Sequence, residues 1–279
     1  MAKYDAMGDR IHRKAPVAIW IMLLGLVVGI VGFIWCMNTD LKKYSKTENL
    51  YTDQNTDSVK NLDFEFDCAT VDIAPSDDRQ IHVSIENAPE GVYTYGVKDN
   101  TFYIHKKRIF SIFKFSGMSK IPFLKDIYPE AKITVKLPSI ILDKVEIDSS
   151  LSDISFNTLT CKKLDIDNGM GKLKLIDCSA EKTVIDNGMG EIEALNCVLG
   201  DTDIDNGMGS IEMRSCVLED TDIDNGMGEI DIEFNADGED YRITGDDDEV
   251  DVKGKTGSKG AKYKIHVDNG MGDIDLKFN

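Results

Sequence analysis

Histidine is scarce in this sequence. Four are scattered over 279 residues, at His12, His82, His105 and His266, and no Ser-His-Asp order accompanies them. A phosphate-cradling glycine loop, an EF-hand spacing and a two-histidine metalloprotease motif are missing as well. No catalytic residue and no cofactor is therefore predicted. The six cysteines include no CxxC pair, which excludes the usual zinc sites. Basic charge is thin where the chain is most regular. Between Asp201 and Lys253 there are 19 Asp and Glu against Arg214, Arg242 and Lys253. With a net charge of −18 for the whole chain, such a surface repels nucleic acid and anionic lipid.

What the chain has instead is repetition. Asp-Asn-Gly-Met-Gly begins at Asp167, Asp186, Asp205, Asp224 and Asp268. The first four copies are 19 apart, and the last follows after 44, two periods plus six. Before each phrase stands Ile166, Ile185, Ile204, Ile223 or Val267; after it polar and apolar residues alternate, as in Glu229-Ile230-Asp231-Ile232. Period two is the signature of a strand. Asn-Gly supplies the positive-φ residues of a tight corner. The same dipeptide is a hairpin signal, but hairpins have no reason to hold a strict 19-residue period, whereas a stacked coil does. The fold class is all-β: a single-stranded β-solenoid with rungs of about 19 residues. Worn copies at Ser149 and Thr244 extend the stack, and Gly254 to Gly260 holds the surplus of the last interval in a flexible loop.

In such a stack like residues form files. Asn168, Asn187, Asn206, Asn225 and Asn269, each followed by glycine (Gly169, Gly188, Gly207, Gly226, Gly270), predict an amide ladder. Met170, Met189, Met208, Met227 and Met271 are expected to pack inside the corner, a methionine metal column being the alternative. Cys178, Cys197 and Cys216 occupy one repeat position and read as buried thiols, although rung spacing alone permits a neighbouring-rung disulfide. Asp167, Asp186, Asp205 and Asp224 should stack one rung apart, where unit charges ~4.8 Å apart repel by about 0.9 kcal/mol even in bulk water. Solvent, salt or the amides can absorb that, and Ca²⁺ would relieve it. The metal candidate is Asp246, Asp247, Asp248 and Glu249. Glycosidases need two carboxyls in distinct environments; here the carboxylates recur identically, which argues against an enzyme of the carbohydrate-active β-helix kind.

The rest of the chain divides into a tail (1–14), an uncharged segment within 15–37, a polar tether (38–61), an irregular β part (62–145) and the regular repeats (146–279). Val17 to Met37 is 21 residues without charge, enough for ~30 Å of helix across a bilayer core. The run is too long for a cleaved signal and no small-x-small site follows, so it reads as a signal anchor. The tail is expected to face the cytoplasm and the repeats to lie outside the cell: the basic bias is slight, and the short tail and large acidic C-terminal part favour that orientation. Gly25-x-x-x-Gly29 and an uncapped last strand, Asp273 to Phe278, are two candidate routes to self-association. Residues 106–125 break the acidic trend with six basic residues and no acid. Lys107, Arg108, Phe110, Phe113, Lys114 and Phe115 either pack as a core excursion or touch a membrane surface, where aromatics insert and basic groups meet lipid phosphate.

The Ile133 to Pro138 strand, the N-terminal span and the Ile-Asp-Asn-Gly-Met-Gly-Glu-Ile-Asp-Ile rungs together resemble the bacterial β-strand-repeat family named "putative adhesins", a domain family of unknown function. The resemblance covers about 62–279. It implies a right-handed β-helix at a Gram-positive-type cell envelope, without catalytic residues. Adhesion to a cationic or Ca²⁺-bridged envelope partner follows as one expected role; an accessory or sensory part in an envelope-stress response is the other.

Overall fold

The computed structural model describes residues 49–53, 56–88, 92–107, 131–245 and 250–278. The expected membrane span, and the Gly25 and Gly29 pair with it, lie outside the described residues. No described helix is long and apolar enough to cross a membrane. In chain order the strands are β1 (Asn49–Asp53), β2 (Asn61–Pro75), β3 (Ile81–Glu86), β4 (Tyr93–Lys98), β5 (Thr101–Lys106), β6 (Ala131–Leu137), β7 (Ile141–Asn157), β8 (Thr160–Met170), β9 (Leu173–Ile176) and β10 (Ser179–Met189). They continue as β11 (Ile192–Leu195), β12 (Val198–Met208), β13 (Ile211–Leu218), β14 (Thr221–Asn225), β15 (Ile230–Phe234), β16 (Tyr241–Gly245), β17 (Val250–Lys253), β18 (Tyr263–Asn269) and β19 (Ile274–Phe278).

Two parallel stacks carry the architecture. In the first, β2, β7, β8, β10, β12, β14 and β18 lie side by side, with Ile166, Ile185, Ile204, Ile223 and Val267 in one register file. In the second, β9, β11, β13, β15 and β19 follow the latter half of β7. Alternation turns every second side chain inward, as period two demands. The inward residues form a continuous core: Ile166, Ile185 and Ile204 at about 1% exposure, with Leu173, Ile192, Ile211 and Leu276 fully buried. Toward the last rungs of the stack, Phe234 stacks on Phe278 with centroids 4.3 Å apart, and Tyr241 packs against both rings.

The corner is built differently from the sequence expectation. Neither the asparagines nor the glycines that follow them have positive φ; the turn is made by the second glycine, Gly171, Gly190, Gly209, Gly228 and Gly272, at φ 134–147°. The first glycines answer to crowding instead. A Cβ on Gly207 would sit 2.5 Å from the Gly188 carbonyl of the rung beside it. A second corner, unanticipated, runs through Thr158, Asp177, Asn196 and Ser215, each left-handed at φ 52–58° and each 19 residues from the next. Aspartate and asparagine tolerate that conformation better than most side chains.

Elsewhere three expectations need revision. The tether over 38–61 is not free throughout, because β1 pairs antiparallel with β3, Asn49 opposite Ile85. The boundary expected at 145/146 falls inside β7, whose twelve register partners along β2 make the two strands one continuous pair of rungs. Most consequentially, chain order and spatial order part at the C-terminal end. β18 and β19 insert between the β14–β15 rung and the β16–β17 rung. Hence β19 is paired on both sides, and the last strand is not an open edge. The reason is complementarity. Asn269 continues the ladder directly from Asn225, 3.0 Å away, whereas the worn Thr244 rung would interrupt it.

The opposite end is closed by antiparallel strands. β3 pairs with β6 and β4 with β5, while β5 and β6 run parallel to the two halves of β2.

Candidate binding surface

The first stack offers a flat outward face ruled into files. One file reads Glu65, Asp148, Asp167, Asp186, Asp205, Asp224, Asp268, unbroken in register over seven rungs. Two residues upstream runs a second: Asp63, Glu146, Asp165, Val184, Asp203, Asp222, His266. Strand geometry puts neighbours in a file ~4.8 Å apart and the two files ~6.8 Å apart. Contacts that offset this charge gather toward the ends of the face: the Lys163–Asp165 ion pair at 2.5 Å and His266 Nε2 against Asp268 at 3.3 Å. The middle of the face is left to Asp186, Asp203, Asp205, Asp222 and Asp224, all exposed. Desolvation, then the charges of Asp186 and Asp148, hold the Asp167 carboxyl above its ordinary value.

The second stack also holds acids in register, Glu193, Glu212, Asp231 and Asp275, but it sets basic residues beside them. Lys172 reaches Glu191 at 3.1 Å and Glu193 at 2.7 Å, and Lys174 meets Glu193 at 2.7 Å. Those lysines pull the Glu193 carboxyl below its ordinary value. Farther along, Lys253–Asp275 at 2.8 Å and Lys277–Glu233 at 3.1 Å bound a shallow charged hollow with Arg214 and Asp231. The faces thus differ in kind: one satisfies its own charges, the other presents them.

Behind the acidic face stands the amide ladder. Asn168, Asn187, Asn206 and Asn225 are fully buried. Each Nδ2 donates to the next Oδ1: Asn168 to Asn187 at 3.1 Å, Asn187 to Asn206 at 2.7 Å, Asn206 to Asn225 at 2.7 Å. Nδ2 of Asn187 and Asn206 also donates to the corner carbonyls of Gly190 and Gly209. Turned over, the Asn225 amide would reach the Asn206 and Gly209 carbonyls at 3.0 and 3.2 Å, so its nitrogen finds acceptors in either orientation. The ladder ends at Asn168, whose buried Oδ1 has no donor, because the neighbouring Ser149 hydroxyl donates to Ser152 at 2.6 Å.

The methionines do not pack inside. Met170, Met189, Met208 and Met227 are 36–40% exposed and Met271 is 63% exposed. Their side chains lie at the corner, next to the positive-φ glycine where the backbone turns before the next inward position. The cysteines of the repeat, by contrast, are buried and free. Cys216 bonds through Sγ to the Arg214 and Ala194 carbonyls. The neighbouring Cys197 thiol and burial hold Cys178 and Cys216 above the usual thiol range, and burial pushes Cys161 up to about 12.

Of the membrane-surface candidates only Lys107 is described, exposed just beyond β5; Arg108, Phe110, Phe113, Lys114 and Phe115 lie outside the described residues, as do the Ca²⁺ candidates Asp246, Asp247, Asp248 and Glu249. Among the described residues no group of three His, Cys, Asp or Glu side chains converges as a metal site. A Ser-Asp-His cluster does form at the antiparallel end. Ser76 Oγ donates to Asp78 at 2.8 Å and His82 Nε2 meets Asp78 at 2.9 Å. The carboxylate sits between the other two, so the histidine is not placed to take the serine proton as a catalytic base must. Those contacts, the His82 bond foremost, lower the Asp78 pKa to about 2.

The Toastrack DUF4097 family profile matches residues 59–279. The chain belongs to that family. A crystal structure described as a "putative adhesin" from Bacteroides fragilis superposes on this Toastrack chain with a TM-score of 0.50 at 13% identity, covering 85% of this chain and 99% of that one. A "putative lipid binding protein" from Parabacteroides distasonis gives 0.41 at 14% identity, over 82% and 96%. A "putative cell adhesion protein" from Clostridium sporogenes gives 0.38 at 11%, over 84% and 100%. No curated protein matches. At these identities the likeness bears on the fold.

Proposed function

We propose that this Toastrack chain is a non-catalytic surface-binding protein, anchored through residues 15–37, that holds its solenoid outside the cell and meets a cationic envelope partner with its acidic face. The observation that carries the reading is the aspartate file. Seven carboxylates in register, Glu65 to Asp268, repel one another along the stack. A fold that needed only a polar outward residue would reduce that repulsion by mixing signs, as the second stack does. A polycation would relieve it and would bind at a rate raised by the field of the face. The adhesin reading of the Bacteroides fragilis neighbour agrees with this role.

The test uses the full-length chain in lipid nanodiscs over polylysine-coated and uncoated sensors. Binding should be confined to the cationic surface, weaken steeply with salt, and fall at least tenfold in Asp186→Asn/Asp205→Asn/Asp224→Asn, whose changed positions are exposed. Equal binding by parent and triple variant would remove the acidic face from the mechanism.

A further inference from the structure

Seven large hydrophobic side chains are exposed among the described residues, and five of them are the corner methionines. They are one file. Met170, Met189 and Met208 are register partners. The backbone fixes the remaining intervals: the Gly171 amide donates to the Met189 carbonyl at 2.9 Å, Gly190 to Met208 at 2.8 Å, Gly209 to Met227 at 2.8 Å and Gly228 to Met271 at 2.8 Å. Each methionine is thereby tied to the rung beside it. Thioethers on flexible stems start from points one strand spacing apart, ~4.8 Å. The file is not a core element that failed to fit. In the worn rung, where Gly169 lies against the Ser150 carbonyl and Gly171 against that of Ser152, the position beside Met170 is Leu151, and it is 3% exposed. Where methionine appears, the side chain stays out.

Three properties of this ridge point to a ligand. The sulfur is soft and selects soft cations. It carries no proton to lose near neutral pH, so binding there needs no deprotonation, unlike thiol or imidazole sites. Each methionine also follows three residues after an aspartate of the acidic file, whose field concentrates cations of any kind; the sulfur then sorts them. Flexible stems that start one strand spacing apart, ~4.8 Å, let one ion reach the sulfurs of two adjacent rungs. The repeat thiols do not compete from the surface, because Cys178, Cys197 and Cys216 are at most 2% exposed.

We propose that the file Met170–Met189–Met208–Met227–Met271 is a binding ridge for a soft monovalent cation, Cu(I), with Ag(I) as its redox-inert surrogate, each ion bridging adjacent rungs. Bridging uses the regularity of the solenoid directly, since every interval of the file is the same site. It is independent of the polycation reading, which rests on carboxylates.

The experiment labels the methionine methyl groups of the full-length chain with ¹³C in detergent micelles. Ag(I) is titrated in chloride-free buffer, and Cu(I) against a competing chelator. The five ridge methyls should shift together, while the buried Met213 methyl stays in place. Met189→Leu/Met227→Leu, at exposed positions, breaks all four intervals of the file and should weaken the affinity at least tenfold with an unchanged unfolding midpoint, and parent affinity should hold from pH 7.5 to pH 5. Unmoved ridge methyls overturn the proposal. So does full affinity in the double variant, which would put the metal on a thiol or elsewhere, and so does loss of binding on acidification, which would put it on carboxylates or histidine. Should the double variant unfold early, Met227→Leu alone is read at a temperature where its unfolding curve matches the parent: the Met271 methyl, left without a methionine neighbour in the file, should no longer shift, and an unchanged Met271 shift overturns the proposal.

Discussion

Replacing Asn206 with alanine cuts the amide ladder in its middle. The side chain is fully buried and takes part in three hydrogen bonds: it accepts from Asn187 at 2.7 Å and donates to Asn225 at 2.7 Å and to the Gly209 carbonyl at 3.1 Å. Asn187 Nδ2 keeps the Gly190 carbonyl at 3.3 Å, so its loss is partial. The Asn225 Oδ1 and the Gly209 carbonyl lose this donor. A hydrogen bond contributes about 1 kcal/mol net, and a buried group left without a partner costs about 1–3 kcal/mol. The expected loss is therefore about 3–5 kcal/mol. Asn168→Ala is the internal control. That residue is equally buried, but its Oδ1 has no donor to lose, and its Nδ2 donates only at 3.1 and 3.3 Å. Its substitution should cost about 1–3 kcal/mol. Chemical denaturation of both variants gives the difference, and amide exchange shows whether the weakening centres on the Asn206 rung, since repeat folds lose stability locally. Equal losses for the two variants, or a loss below about 1 kcal/mol at Asn206, would show that the ladder accompanies the fold without stabilising it.

Other perturbations probe the corners, the charges and the closing rung. Gly209→Ala forces a Cβ to 1.9 Å from the Gly190 carbonyl at a φ of 141° and should cost roughly 3 kcal/mol or more, whereas Gly260→Ala, with nothing within 4 Å, should stay within about 0.5 kcal/mol of the parent; paired thermal melts decide. Asp167 binds its proton more tightly folded than unfolded, because its carboxyl is held above 3.8, so its ionised form destabilises the fold above that pKa and the effect vanishes below the unfolded value. Asp167→Asn should accordingly raise the unfolding midpoint at neutral pH and converge with the parent in acid; a constant difference across pH would contradict the assignment. Asp78 runs the other way: its lowered pKa of about 2 gives stability that is present above the unfolded value and lost as pH falls toward 2, and Asp78→Asn should flatten that part of the pH profile. Tyr241→Phe removes the 2.8 Å bond to the Leu218 carbonyl from a side chain 1% exposed and should cost about 1–3 kcal/mol by denaturant titration.

The five copies of Asp-Asn-Gly-Met-Gly were enough to give the solenoid, its period, the inward isoleucine files and the buried asparagines, because a side chain repeating every 19 residues in a stacked fold has only its own copies for neighbours. The file of left-handed corners was also written there, in Asp177 and Asn196 at the same spacing, but no local motif drew attention to it. Local chemistry misled at two points. Asn-Gly reads as a positive-φ pair, yet here the strand runs through it and the second glycine turns, since the first is needed where rungs touch. Methionine reads as core, yet at this corner its side chain stays outside.

What composition and period fixed, then, is everything that depends on one rung and its identical neighbour: strand, ladder, buried thiol, acidic file. The order of the rungs was decided only in three dimensions. The 44-residue interval records that something is displaced, but chain connectivity alone would place the Thr244 rung next to Asn225. Matching amide to amide across space places Asn269 there instead, moves β19 from an edge to the interior of the stack, and leaves the worn β16–β17 rung at its end. Sequence lists the pieces in the order they are made; which faces meet is set by the complementarity of side chains that the chain brings together from 44 residues apart.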